Sequence, residues 1–490
     1  MNIINEILNT ILNFLSTENI YNLKLLNNQF NNFIENDFIL INYYGNYINK
    51  NIIKKHSINL ERIVDTNINN HDDHIFDEDL SNIPNLKKLI LKHNNSITDD
   101  GLKYINKLES LILKRNNKIT DNGLRHVPNI KYLNLNNNTY ITDNGLQFIP
   151  NVKKLCLNSN KYITDNGLRF IPNVKKLHLN SNKNISNIGL KYLVKSSSSM
   201  SNLTSLQLAD NKSITDEGLK YLKNSQIQIL KLTTNTNITN DGLEHLVDQE
   251  LGTSKLHTLI MFCNNNLTNE GLKYIQNIKV LCLDGKKITD EGLQYISNVE
   301  SLELGYNINI TDAGLQFIPN VRSLTINFNN NITDVGLKYI PNIKILRLGD
   351  NNKITDDGLK LISKLHELHF LDNENITDEG LKYVSKLNVL YLDWNHNISD
   401  RGLSYLPNLI TLSLRNNTNI TDEGLKYIPN IRMLHMADNK YITDEGLKYI
   451  SNVLSLNLDN NENITNNYKI YLPHVYAAPT RKLILEVGNI

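Results

Sequence analysis

Cysteine is nearly absent: three residues in 490, at Cys156, Cys263 and Cys282. They are too few and too far apart for a disulfide framework or a zinc knuckle, which points to a reducing compartment. Tryptophan occurs once, methionine five times and proline ten times. Net charge is equally sparse, +1, so no bulk field singles out nucleic acid or an anionic membrane as partner. No apolar run approaches the length of a membrane span. The N-terminus, MNIINEILNTILNFL, lacks the basic stretch and small-residue cleavage site of a signal peptide and reads as a surface helix. A cytoplasmic or nuclear chain, not a secreted one, is expected.

What is present is a repeat. The string (Ile/Leu)-(Thr/Ser)-(Asp/Asn)-x-Gly-Leu occurs sixteen times between Gly101 and Gly446, and eleven of the fifteen glycine intervals are 22 residues. The irregular intervals, 29, 24, 29 and 21, fall in succession from Gly189 to Gly292. Degenerate copies, IFDEDL from Ile75 and ITNNYK from Ile464, flank the array, as end units with one unpartnered face should. Sequons such as Asn331-Ile-Thr are by-products of the repeat.

Each unit also carries apolar-x-x-Leu-x-apolar-x-x-Asn, as in Val152, Leu155, Leu157 and Asn160. The alternation predicts a short strand with two side chains inward. The Asn amide can donate to and accept from the turn backbone. A column is therefore expected at Asn94, Asn116, Asn138, Asn160, Asn182, Asn307, Asn329, Asn351, Asn373, Asn395, Asn417, Asn439 and Asn461, with Lys286 marking a local irregularity. The ITDxGL segment reads as a helix start capped by Thr or Asp, with its glycine leaving room for the adjoining unit. Ile-Pro-Asn, as at Ile149 to Asn151, ends the helix and turns the chain into the next strand.

These patterns resemble leucine-rich repeats, and ITDxGLxxI resembles the cysteine-containing subclass common in F-box proteins, here with shorter units. The resemblance implies an α/β solenoid, a horseshoe with a parallel concave sheet and short outer helices. At about 4.8 Å per strand its sheet would run on the order of 80 Å. The N-terminal segment resembles an F-box through Ile3, Ile7, Ile11, Leu12 and Leu15, then Ile20, Leu23, Leu26 and Phe30. Residues 1–45 would then form a small helical domain, 46–74 a connector and 75–490 the repeats. Composition and pairing are also similar to F-box/leucine-rich-repeat proteins of giant viruses. The resemblance implies a substrate receptor of a cullin-RING ubiquitin ligase: a Skp-type adaptor on the F-box, a protein substrate on the repeats. A plain interaction scaffold is the alternative.

No catalytic motif appears in a usable context, so neither enzyme activity nor a cofactor is expected. His71-Asp-Asp-His74 reads as solvated loop, Ser196 to Ser199 as a flexible surface loop, and no cysteine shows a patterned histidine or basic partner. Outward strand positions are basic early (Lys88, Lys92, Lys114, Arg115, Lys154, Lys176) and acidic later (Asp284, Glu303, Asp350, Glu367, Asp372, Asp393, Asp438, Asp459). Aromatic and arginine anchors that become buried at an interface dominate its energetics. The expected contact patch is therefore Tyr306, Phe328, Arg347, Asp350, His369, Asp372, Tyr391, Asp393 and Trp394.

Overall fold

A computed structural model describes residues 75–472, apart from 93–94, 115, 196–201, 224, 248–253, 458 and 466, and the backbone of strands Asn42–Gly45 and Arg62–Asp65. The expected F-box residues lie outside the described residues, as do Asn94, Arg115, His71 to His74 and Ser196 to Ser199. The chain forms two compact units, Met1–Ile238 and Thr239–Ile490. Each is a leucine-rich-repeat solenoid in which a parallel sheet is backed by helices mostly four residues long. No described helix is long and apolar enough to cross a membrane.

In the first unit the sheet runs from Asn42–Gly45 through Arg62–Asp65 and Lys88–Lys92 to Ile229–Lys231. The first two strands fall within the stretches that the sequence reading gave to a helical domain, residues 1–45, and a polar connector, residues 46–74. Their sequences, NYYG and RIVD, lack the Leu-x-Leu signature that reveals the later strands. In the second unit the strands run from Thr258–Met261 to Ser455–Asn457, each paired parallel to the next. Leucine and isoleucine at the inward positions are almost fully buried, as at Leu302, Leu304, Leu324 and Ile326.

Two side-chain ladders tie the repeats together. In the asparagine ladder Asn351 Nδ2 donates to the Asn329 carbonyl (2.7 Å) and the Ile332 carbonyl (2.9 Å) of the preceding repeat. Its Oδ1 accepts from the Lys353 and Ile354 N–H groups of its own turn (2.9 and 3.1 Å). All four hydrogen-bonding positions of a buried amide are thus filled. The same pattern holds at Asn138, Asn160, Asn307, Asn329, Asn373, Asn395, Asn417 and Asn439. Asn116 donates to the Ile97 carbonyl and accepts from Lys118 and Ile119. The ladder changes where the long repeats occur: the Asn182 amide has no partner among the described residues, and its backbone N–H instead donates to Asn211 Oδ1 (3.0 Å). The Asn461 amide, in the last repeat described, is likewise unpartnered among the described residues.

In the 21-residue repeat the residue at the ladder position is Gly285, not Lys286. Asn307 donates to the Gly285 carbonyl (2.5 Å), and the Ile288 N–H donates to that same carbonyl (2.8 Å). The missing residue shortens the turn by one, and Lys286 is left exposed outside it.

The second ladder was not legible as such. Thr355 is the N-cap of Asp356–Leu361, and its hydroxyl accepts from the Asp357 N–H (3.2 Å). The Asp that begins each helix does not cap it but reaches the next repeat: Asp334 Oδ1 accepts the Thr355 N–H (2.9 Å) and Oδ2 the Thr355 hydroxyl (2.6 Å). The motif glycine is required by this contact. A Cβ on Gly358 would overlap the Asp334 carboxylate and meet Leu337 Cδ1 at 3.1 Å.

A third feature was missed entirely. The residue before the ladder asparagine adopts a left-handed conformation in most repeats although it is not glycine, including Thr234 (φ 62), Phe328 (φ 57) and Trp394 (φ 65). Such residues cost free energy that the surrounding packing must offset. Two repeats place glycine one residue earlier, Gly305 (φ 49) and Gly349 (φ 58), and the strand register shifts at both.

Candidate protein-binding face

The open face of the second unit's sheet is built from the side chains that alternate with the buried leucines. Parallel register places Thr325, Arg347, His369, Tyr391, Ser413 and His435 in one row across six consecutive strands. Arg347 Nε donates to Glu367 Oε1 (2.7 Å), and its Nη2 reaches the same oxygen. His369 Nε2 lies 2.9 Å from that oxygen, and its ring packs against Tyr391 with centroids 4.0 Å apart. Glu367, absent from the expected patch, is therefore its electrostatic centre. Burial works against its charge, but His369 and Arg347 outweigh burial and hold its carboxyl below the usual glutamate range. Glu303 has the opposite balance: burial pushes its carboxyl up, despite the Arg347 charge and a hydrogen bond with Cys282.

At the strand ends the face becomes apolar. Tyr306 and Phe328 stack, centroids 4.9 Å apart and 18° from parallel, and both are exposed, as is Trp394 at 49 %. Leu371, which sequence reasoning passed over, is exposed on the same edge. It occupies the position after the strand's second core residue, which holds a polar residue or glycine in most repeats and so carries no signal of its own. The left-handed backbone at Phe328 and Trp394 lifts these two rings clear of the alternation that buries their neighbours.

The acids of the expected patch divide into two kinds. Asp350 and Asp372 are exposed, and burial of the Asp350 carboxyl together with the nearby Asp372 charge pushes it up. Asp393 instead serves the fold: its Oδ1 accepts from the Ser413 hydroxyl (2.5 Å) and the Arg415 N–H (3.0 Å). Asp284 similarly accepts from the Cys263 N–H (2.5 Å).

In the first unit, one expectation about cysteine is overturned. Cys156 Sγ lies 3.3 Å from His178 Nδ1. The two are directly paired on adjacent strands, so their 22-residue separation, one repeat, was the missed signal. Cys156 is buried on the sheet face by these neighbours, and Cys282 is buried likewise. Among the described residues no group of three or more His, Cys, Asp or Glu could hold a metal ion.

Among curated proteins no sequence matches the chain. Solved structures similar to it share the fold at low identity. The TLR13–ssRNA13 complex matches over 81 % of this chain and 62 % of that one, at 18 % identity and TM-score 0.53. The chain therefore spans less than two thirds of that structure's length. The yeast Rad7 and Elc1 complex matches over 66 % and 81 %, at 16 % identity and TM-score 0.44. An internalin from Listeria monocytogenes matches over 78 % and 88 %, at 23 % identity and TM-score 0.30. The leucine-rich-repeat family model matches residues 82–149, 170–194, 199–223, 254–275 and 317–451. That model describes a structural repeat suited to protein–protein interaction, and no catalytic family is indicated. With more than half of its length matched, the chain belongs to the leucine-rich-repeat family.

Proposed function

We propose that the protein is a substrate receptor of a cullin-RING ubiquitin ligase, acting in the cytoplasm or nucleus. In this reading the open sheet face of the second unit holds a protein partner, and residues 3–34 dock on a Skp-type adaptor. The observation that carries the partner-binding half is the exposed Tyr306–Phe328 stack with Leu371 and Trp394, bordering the Arg347–Glu367–His369 network. Such a cluster offers apolar area beside charges that fix register, the usual composition of an interface centre and rim. Asp350 and Asp372 on the same edge favour a partner with basic residues. The adaptor half rests on the spacing of Ile3, Ile7, Ile11, Leu12, Leu15, Ile20, Leu23, Leu26 and Phe30, which resembles an F-box. The same pairing makes the chain similar to F-box/leucine-rich-repeat proteins of giant viruses.

The test is capture of a purified Skp-type adaptor by full-length protein, with and without a crosslinker. Leu12→Asp with Leu15→Asp should abolish capture, because charge placed in an apolar interface costs several kcal/mol if unpaired. If the wild-type chain captures no adaptor at high adaptor concentration, the ligase reading falls and a plain interaction scaffold replaces it.

A further inference from the structure

We propose that the open sheet face of the first unit is a second docking surface, one that takes an extended acidic protein segment across Lys154, Lys176 and Lys231. It does not depend on the reading of the second unit. The seven strands from Lys88–Lys92 to Ile229–Lys231 contain no acidic residue. Lys154 and Lys176 occupy paired positions on adjacent strands, an arrangement of like charges that is unfavourable unless something neutralises it. Nothing described does: none of the ion pairs formed among the described residues involves Lys154, Lys176 or Lys231. The Lys154 ammonium lies instead over the Tyr132 ring, 4.4 Å from its centroid.

His178 registers the resulting field. Burial, then the charges of Lys154, Lys231 and Lys176, push its imidazole down to about 4. With Cys156 at 3.3 Å it forms a polar, uncharged floor between the lysines.

The spread of charge selects the class of partner. Lys154 and Lys231 stand three strand intervals and two residues along the strand apart, about 16 Å, so one phosphate cannot reach both. An extended peptide covers that distance with about five residues. No arginine fork, the preferred phosphate clamp, is among the described side chains of this face. Its Tyr132 ring is already covered by Lys154, so among the described residues no Phe, Trp or Tyr ring of these strands is left open for base stacking. Carboxylates distributed along a peptide fit all three observations.

The probe is a fluorescein-labelled peptide with a run of about six glutamates, long enough to span the lysines, titrated with full-length protein by fluorescence anisotropy. Saturable binding that weakens from low to physiological salt is expected. Lys154→Glu with Lys176→Glu should lose at least about tenfold in affinity, and Lys154→Gln with Lys176→Gln should lose affinity in the same direction with less risk to folding. Lys286→Glu with Lys287→Glu, the same change in net charge on an exposed turn of the second unit, should stay within about twofold. Absence of saturable binding would overturn the proposal. So would equal loss in the turn variant, which would mean bulk charge alone, or tighter binding of a thymidine oligonucleotide that the same face variants abolish.

Discussion

Asp334 and Thr355 belong to successive repeats, and the carboxylate of the first takes both the backbone N–H and the hydroxyl proton of the second. The contact recurs from Asp77 with Thr98 through Asp444 with Thr465. In the irregular region Asn187, Asn240 and Asn269 stand in for the acid, and there the amide donates to the threonine hydroxyl. A carboxylate is an acceptor only, so it leaves the hydroxyl oxygen free to cap its own helix. One side chain thereby joins two repeats and leaves the second one's helix start intact.

This geometry predicts coupling between Asp334 and Gly358. Gly358→Ala should destabilise by about 1–3 kcal/mol, because the new methyl forces the carboxylate out of place. In an Asp334→Ala background it should cost less, since the carboxylate that the methyl overlaps is gone. Chemical denaturation of the four proteins of the cycle measures this. Additivity within about 0.5 kcal/mol would show that glycine is needed there for some other reason.

For the asparagine ladder, Asn351→Ala strands two carbonyls and two N–H groups in a buried site. A loss of about 1–3 kcal/mol is expected. Asn352, exposed beside it, should tolerate alanine with little change. Equal shifts in the two unfolding midpoints would contradict the ladder's role.

Much of this was readable in advance because a repeat states each contact many times over. The Leu-x-Leu strands and the glycine's close approach follow from the 22-residue period, and so does the asparagine column. What could not be read depends on neighbours one period away. Cys156 meets His178, and Glu367 joins Arg347 to His369, only once parallel register sets strands side by side. The left-handed backbone at Thr234, Phe328 and Trp394 is imposed by the turn against local preference. The strands at Asn42–Gly45 and Arg62–Asp65 lack the repeat's signature, so nothing in their composition announced them.

The two kinds of acid on the second unit's face should separate experimentally. Asp350→Lys with Asp372→Lys should weaken capture of a basic partner and leave the unfolding midpoint nearly unchanged. Asp393→Lys should lower the midpoint by itself, because the Ser413 hydroxyl and Arg415 N–H lose their acceptor. Thermal melts read beside partner capture distinguish them, and a stable Asp393→Lys protein would contradict its structural role.

His178 makes the stability of the first unit pH-dependent. Its folded pKa, about 4, lies below the ordinary 6.5, so between those values the unfolded chain binds more protons than the folded one. Stability should therefore fall as pH drops from about 6.5 toward 4. The groups facing it are Lys154, Lys176, Lys231 and the Cys156 thiol. His178→Gln should flatten this part of the slope, as followed by urea unfolding at a series of pH values. An unchanged slope would show that the imidazole titrates normally.

The central claim is that one chain joins an adaptor and a protein partner through separate surfaces. Because Asn42–Gly45 is part of the sheet, substitutions test it more cleanly than removal of residues 1–45. Tagged full-length protein would be purified from its native cells in three forms: wild type, Leu12→Asp with Leu15→Asp, and Tyr306→Ala with Trp394→Ala. Quantitative mass spectrometry then reads adaptor, cullin and partner together. Separate surfaces predict that the first double variant loses adaptor and cullin but keeps the partner, and that the second does the reverse. Loss of both by either variant, or of neither by both, would contradict the account.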